Sequence, residues 1–238
     1  MRGPQGWLVG LALAPLGCFA PAVRPVAMAD FGHISATVGG IFPDEDNGQS
    51  WLEGSAALAI GILPHVQLEA SGAIDQGNSQ PATSSTSSVT TGPNWSLGGG
   101  LRTAIPLADT FDVQLALLYD HVDTTHVINF CGTSVQSWQL SRETAEVGLV
   151  GRLDRSLAIG IWLDGMLDEV TFDSQGGPGN VLGLGARVCV EFRPWPEDLK
   201  WLSFVLGAST GFSIATLSGD SNGPYPWLNL GLGASVTL

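Results

Sequence analysis

One small group of residues in this sequence combines side chains that hydrolytic chemistry needs. His121 and His126 flank Asp123, and Asp120 directly precedes His121. An imidazole beside a carboxylate can move a proton, and two imidazoles with a carboxylate can bind a metal ion. The spacing is diagnostic of neither activity, and a solvated loop explains it equally well. The sequence also lacks the motifs of P-loop nucleotide binding, zinc proteases and serine hydrolases. We therefore expect no catalytic site, no metal site and no cofactor.

The acidic residues of the chain contribute to a formal net charge of −13, and many of them fall in five long connections between patterned segments. These connections contain no Lys or Arg, which disfavours nucleic-acid binding. If the protein conducts ions, acidic loops at its mouth would enrich cations there. The acidic residues assigned to these loops are Asp44, Glu45, Asp46, Asp123, Asp168, Glu169, Asp173 and Asp220.

A second set of charged residues carries both signs and occupies the polar positions of the patterned segments. Because an unpaired charge is costly to bury, we expect these residues to form hydrogen-bonded ion pairs inside the protein. The predicted internal network consists of Glu53, Glu69, Arg102, Asp112, Glu146, Arg152, Asp164, Arg187 and Glu191.

The elements that position these charges are about ten segments in which apolar residues alternate with small or polar ones. In one of them, Leu157, Ile159, Ile161 and Leu163 share a face, whereas Asp164 takes the opposite face. A period of two residues predicts β-strands with a different environment on each side. The polar faces are too polar for the interior of an ordinary two-sheet sandwich. The 32 glycines suit a β protein with many tight turns.

The connections alternate between short turns and long segments, and the last predicted strand has apolar residues at every second position up to Leu238. This pattern resembles that of bacterial outer-membrane β-barrels, although that family usually ends in Phe. The resemblance implies an all-β fold: a closed antiparallel transmembrane barrel of about ten strands, with short periplasmic turns and long extracellular loops. It also implies a Gram-negative outer membrane as the location and its lipid as the partner. It does not indicate an oligomeric state.

The N-terminal residues have the layout of a secretory signal. Arg2 precedes an apolar run over residues 7–16, and small residues follow at Ala27-Met28-Ala29. We therefore expect residues 1–29 to be a signal peptide and residues 30–238 to form a single barrel domain. Cleavage after Ala22 and lipid attachment at Cys18 remain open alternatives. Cys131 and Cys189 could form a disulfide, which the sequence cannot decide.

Three functions fit these observations. The first is a narrow cation-favouring pore or small-solute transporter, since many inward positions are Gly or Ala. The second is a structural or surface-recognition barrel whose lumen is closed by Arg–carboxylate pairs. The third is a soluble exported barrel that binds an apolar ligand as lipocalins do, with apolar residues inside and charged residues outside.

Overall fold

The computed structural model describes residues 24–44, 53–75, 79–81, 87–91, 94–130, 133–172, 179–217 and 220–238. These residues form twelve β-strands. Among them there is no helix with the length and hydropathy needed to cross a bilayer. The strands are β1 (Ile34–Asp44), β2 (Glu53–Leu63), β3 (Val66–Asp75), β4 (Ser79–Pro81), β5 (Ser87–Thr91), β6 (Asn94–Ala108), β7 (Phe111–Phe130), β8 (Thr133–Arg152), β9 (Leu157–Phe172), β10 (Gly179–Phe192), β11 (Leu202–Leu217) and β12 (Asp220–Thr237).

Ten of these strands close into an antiparallel barrel, which confirms the predicted fold. Strands β3 and β6 pair directly, and β1 pairs with β12 to close the cylinder. The short strands β4 and β5 form a hairpin outside this cylinder, where β5 pairs with the far part of β7. Closure pairs both edges of each of the ten described barrel strands, as the interior of a bilayer would require, because lipid offers backbone groups no hydrogen-bond partner.

The two faces of the barrel differ as the alternation predicts. On β7 the outward Phe111, Leu115 and Leu117 are exposed, whereas the inward Asp112 and Gln114 are buried. Comparable exposed Leu, Ile, Val and Phe residues cover the outward faces of the other nine barrel strands. A lipocalin-like arrangement requires the opposite orientation, so that third interpretation of the sequence is wrong.

One side of the barrel is much taller than a membrane crossing requires. Strands β7 and β8 contain 20 residues each, whereas a tilted transmembrane strand needs about 9–11. On the outward face of β8, Leu149 and Val147 are followed by the exposed Glu143, where the apolar band ends. The β7–β8 hairpin therefore extends well beyond the apolar band on the long-loop side.

The chain enters the barrel at the short-turn end, where residues 30–34 lead into β1. The Gly32 amide donates to the carbonyl of Gly61 at 2.9 Å, and the Ile34 amide donates to the carbonyl of Leu238 at 2.9 Å. Gly32 has a φ of 80°, a left-handed conformation that glycine adopts without steric cost. This turn reverses the chain, so the residues before Asp30 run back into the barrel.

Candidate functional site

The centre of the barrel lumen holds a network of six buried charged side chains. Each has less than a tenth of its side chain exposed. Three are carboxylates and three are guanidinium groups, so the charges of this described network balance. They are Glu69 on β3, Arg102 on β6, Glu146 on β8, Asp164 on β9, Arg187 on β10 and Arg24 from the segment that precedes the barrel.

Glu146 is the hub of this network. Its Oε2 lies 2.9 Å from Arg187 Nη2 and 3.5 Å from Arg102 Nη2, and its Oε1 lies 3.4 Å from Arg24 Nη1. One carboxylate thus contacts cations from three separate parts of the chain. Such a group is stabilised by its partners as long as all of them stay in place, because a buried charge without a partner is costly.

Glu69 continues the network to the other side of the lumen. Its Oε1 lies 2.9 Å from Arg102 Nε, and its Oε2 lies 3.3 Å from Arg24 Nη1. The amide of Gln67 also donates to Glu69 Oε1 at 2.6 Å. The chain of contacts therefore runs from β3 through β6 and β8 to β10.

Further ion pairs lie above and below this network. Towards the long-loop side, Arg142 binds Asp168 through two parallel hydrogen bonds of 2.8 and 2.9 Å. Towards the short-turn side, Arg152 pairs with Asp112. Bidentate guanidinium–carboxylate contacts of the Arg142 type fix geometry as well as charge. The inner wall of the described barrel thus carries ion pairs between neighbouring strands at both ends of the central network.

Residues 24–29 lie inside the lumen and are held there by side chains of the barrel wall. The Ala29 amide donates to Gln67 Oε1 at 2.8 Å, and the Ala27 amide donates to Glu191 Oε2 at 2.8 Å. Gln114 Nε2 donates to the carbonyl of Val26 at 3.1 Å. The segment extends from Ala29 near the short-turn rim back to Arg24 in the central network. Sequence reasoning missed this role, because the contacts join residues far apart in the chain.

Trp162 fills a large part of the lumen beside this segment. Its indole lies flat against Gly148 and Gly160, where an added Cβ would overlap the ring. The guanidinium carbon of Arg187 lies 5.1 Å from the centre of the ring, a cation–π distance. Trp162 was not singled out from the sequence, although its inward position between Ile161 and Leu163 is the available signal.

The wall opposite the charged side is built from small neutral residues. Strands β11, β12, β1 and β2 turn Ser, Thr, Gly and Ala inward, including the buried Thr37, Ser203, Ser209 and Ser235. Thr37 Oγ1 donates to Ser235 Oγ at 2.9 Å across the closing strand pair.

The structure places most of the predicted internal charges in the lumen. Buried there are Glu69, Arg102, Asp112, Glu146, Asp164, Arg187 and Glu191. Arg152 lies at the short-turn mouth, with 43% of its side chain exposed. Glu53 belongs to β2, but its side chain lies outside the described residues.

The acidic residues assigned to loops require correction. Asp168 is not a loop residue, because β9 continues to Phe172 and turns Asp168 into the lumen against Arg142. Four others also belong to strands in the structure, namely Asp44, Asp123, Glu169 and Asp220. The strands extend past the apolar band, so the loss of apolar alternation did not mark their ends. Glu45, Asp46 and Asp173 lie outside the described residues.

The histidine and aspartate group is divided between two faces of β7. Asp120 turns inward and accepts a hydrogen bond from Ser71 Oγ at 3.3 Å. His121 lies on the outward face, where its ring centre is 5.6 Å from that of Trp95, and Asp123 shares this outward side by alternation. The His126 side chain lies outside the described residues. Asp120 therefore cannot act together with the other two described residues.

Two further sequence expectations concern metals and cysteines. Within the described ranges, no group of three His, Cys, Asp or Glu residues is arranged to hold a metal ion. Cys189 carries a free, buried thiol on the inward side of β10. Cys131 lies outside the described residues.

Solved structures of bacterial outer-membrane barrels share this fold. An outer membrane channel from Pseudomonas putida F1 is 11% identical with a TM-score of 0.50, and the match covers 91% of this chain and 100% of that one. The outer membrane protease OmpT from Escherichia coli is 10% identical with a TM-score of 0.44, over 87% of this chain and 94% of that one. Neither protein-family models nor curated proteins match the chain. In its closed antiparallel fold of ten strands, the chain is similar to these outer-membrane β-barrels.

Proposed function

We propose that this protein is an outer-membrane barrel whose resting lumen is closed and whose tall β7–β8 hairpin acts at the cell surface. The observation that carries the first part is the buried network in which Glu146 contacts Arg24, Arg102 and Arg187. These side chains occupy the centre of the lumen, where a conducting barrel would hold water and ions.

The network also resists opening by small motions. Separating Glu146 from its three cations would leave its carboxylate without a partner in a confined space, and would leave each cation with one carboxylate contact instead of two. A buried charge that loses its partners costs several kcal/mol. Thermal motion alone would therefore open this path rarely. A steady ion current is not expected from the resting protein.

The surface role is supported by the height of β7 and β8. Their outer parts contain residues such as Glu143 and Asp123, which suit water better than lipid. Paired strands hold this projection in a defined shape, unlike a long irregular loop. A hydrogen-bonded strand pair beyond the membrane is suited to contact with macromolecules outside the cell.

Conductance across planar lipid bilayers tests the closed lumen. The purified protein should insert without producing steady current steps. A matched preparation carrying Glu146→Ala together with Arg187→Ala, which empties the centre of the network, should show current steps and so prove that insertion is detectable. Steady currents from the unaltered protein would contradict the closed state.

A narrow cation-favouring pore or small-solute transporter is the second candidate, and the small neutral wall favours it. Within the described structure, the buried Ser55 Oγ and Asn229 Oδ1 on this wall have no hydrogen-bond partner. Such groups could bind a file of water molecules beside the charged network. Under this hypothesis the unaltered protein would give a steady current in the same bilayers. In a salt gradient, the sign of the reversal potential would show that cations pass more readily than anions.

A further inference from the structure

We infer that residues 24–29 stay with the barrel after export as an internal plug anchored by Arg24, and that the leader peptide is removed before Arg24. This inference deepens the proposed closed lumen by naming the segment that helps to close it. It rests on three sets of contacts that involve different parts of the barrel wall.

The first set is an apolar cluster around Val26 on the inner side of the barrel. Val26 is fully buried and belongs to a cluster with inward-facing residues of the wall. Inward apolar residues would face water if the segment were absent, which is unfavourable for them. Val26 packs against these wall residues and shields them from water. The wall residues of this cluster are Val150, Ala158, Trp162, Cys189 and Val205.

The second set is the balance of charge around Arg24. With Arg24 in place, three carboxylates face three guanidinium groups in the central network. Without it, Glu69 and Glu146 would each lose one cationic contact, at 3.3 and 3.4 Å. The wall thus contains one buried negative charge more than its own arginines in this network neutralise, and Arg24 supplies the missing positive charge.

The third set is the close passage of the backbone at the short-turn rim. A Cβ placed on Gly61 would lie 2.9 Å from the carbonyl oxygen of Ala29 and would overlap the carbonyl of Asp30. A side chain at residue 61 would therefore push the segment away. Glycine at this inward position of β2 fits a barrel that accommodates the segment.

These contacts bear on where the leader ends. The small residues at Ala27-Met28-Ala29 predict cleavage before Asp30, which would remove the plug together with Arg24 and Val26. Cleavage after Ala20-Pro21-Ala22, the alternative with the same small-residue pattern, would keep both. The inference therefore selects the earlier position.

The N-terminus of the protein isolated from outer membranes tests this point directly. Intact mass and N-terminal sequencing should give a chain that begins upstream of Arg24. A mature chain that begins at Asp30 would overturn the inference. In such a chain Glu146 would still contact Arg102 and Arg187, and the conductance test would still decide whether the lumen is closed. Failure of the plug and failure of the proposed function can therefore be told apart.

The reactivity of Cys189 tests whether the segment occupies the lumen. In a Cys131→Ser background, Gly61→Val should expel the segment and raise the rate at which a water-soluble thiol reagent labels Cys189 several-fold. The matched control is Gly54→Val on the same strand, where an added Cβ would meet its nearest atom only at 3.8 Å. This control should label as slowly as the background protein.

A second variant protects the test against loss of folding in Gly61→Val. Arg24→Ala removes the anchor without adding bulk and should also raise Cys189 labelling, whereas Arg155→Ala in an exposed turn should not. Labelling that is equally slow in folded Gly61→Val, Arg24→Ala and both controls would contradict the plug.

Discussion

Replacing Glu146 by Gln should destabilise the barrel more than almost any other change that keeps side-chain volume. The substitution removes one negative charge and leaves Arg24, Arg102 and Arg187 with two carboxylates in their network instead of three. Removing one partner of a buried ion pair costs about 3–5 kcal/mol. Because the Glu146 side chain is only 1% exposed, little water is available to replace its contacts, and we expect a loss within this range.

The free energy of unfolding can be measured from urea titrations in lipid vesicles, followed by tryptophan fluorescence. The matched control is Glu197→Gln. Glu197 pairs with Arg155 at 3.2 Å, but both side chains are more than three-quarters exposed. Exposed pairs contribute about 0–1 kcal/mol, so the control should lie close to the unaltered protein.

A double variant separates the loss of a partner from the loss of an attraction. Adding Arg187→Met to Glu146→Gln removes the cation that loses its shortest carboxylate contact, at 2.9 Å, and restores equal numbers of the two charges in the network. Part of the lost stability should therefore return. If Glu146→Gln costs no more than Glu197→Gln, the lumen around Glu146 is hydrated and the network does not act as described.

Two further predictions concern packing on each side of the wall. Gly160→Val should destabilise the barrel by about 1–3 kcal/mol in the same titration, because its side chain would overlap the indole of Trp162. The control Gly165→Val should not destabilise the barrel, because an added Cβ there would meet its nearest atom only at 4.0 Å. Equal effects of the two changes would refute the packing against Trp162. On the outer face, Leu163→Arg near the middle of the apolar band should lower the free energy of unfolding by about 2–4 kcal/mol. Leu153→Arg at the rim should lower it by about 0–1 kcal/mol. Equal losses would contradict the assigned membrane position.

The barrel itself could be predicted because lipid imposes a strong pattern. Every strand must place apolar residues outward within the membrane, so residues such as Leu163 and Leu230 mark their strands in the sequence. The same physics explains where prediction failed. Beyond the apolar band no lipid constrains the outward face, so the outer parts of β7, β8 and β9 carry no such signal. The sequence pattern therefore predicts a loop at Asp168, where the structure has a strand.

The central charges were predictable as a set but not as a network. Alternation shows that Glu146 and Arg187 face inward, but it does not show which of them meet across the lumen. The position of the plug could not be predicted, because Gln67, Gln114 and Glu191 bind its backbone from distant parts of the chain. Its own small residues also satisfy the pattern of a cleavage site. Contacts of this kind depend on the closed fold and leave no local trace.

The hydroxyl contact between Thr37 and Ser235 has a consequence for how the cylinder closes. These two residues face each other across β1 and β12, the first and the last strand of the barrel in chain order. A shift of one residue in this pairing would turn Leu230 and Leu232 towards the polar interior and expose Asn229 and Ser235 to acyl chains. Misaligned closure would thus be penalised along the whole seam at once. The final joining of the two ends should therefore proceed as a single cooperative event, with no stable half-joined form.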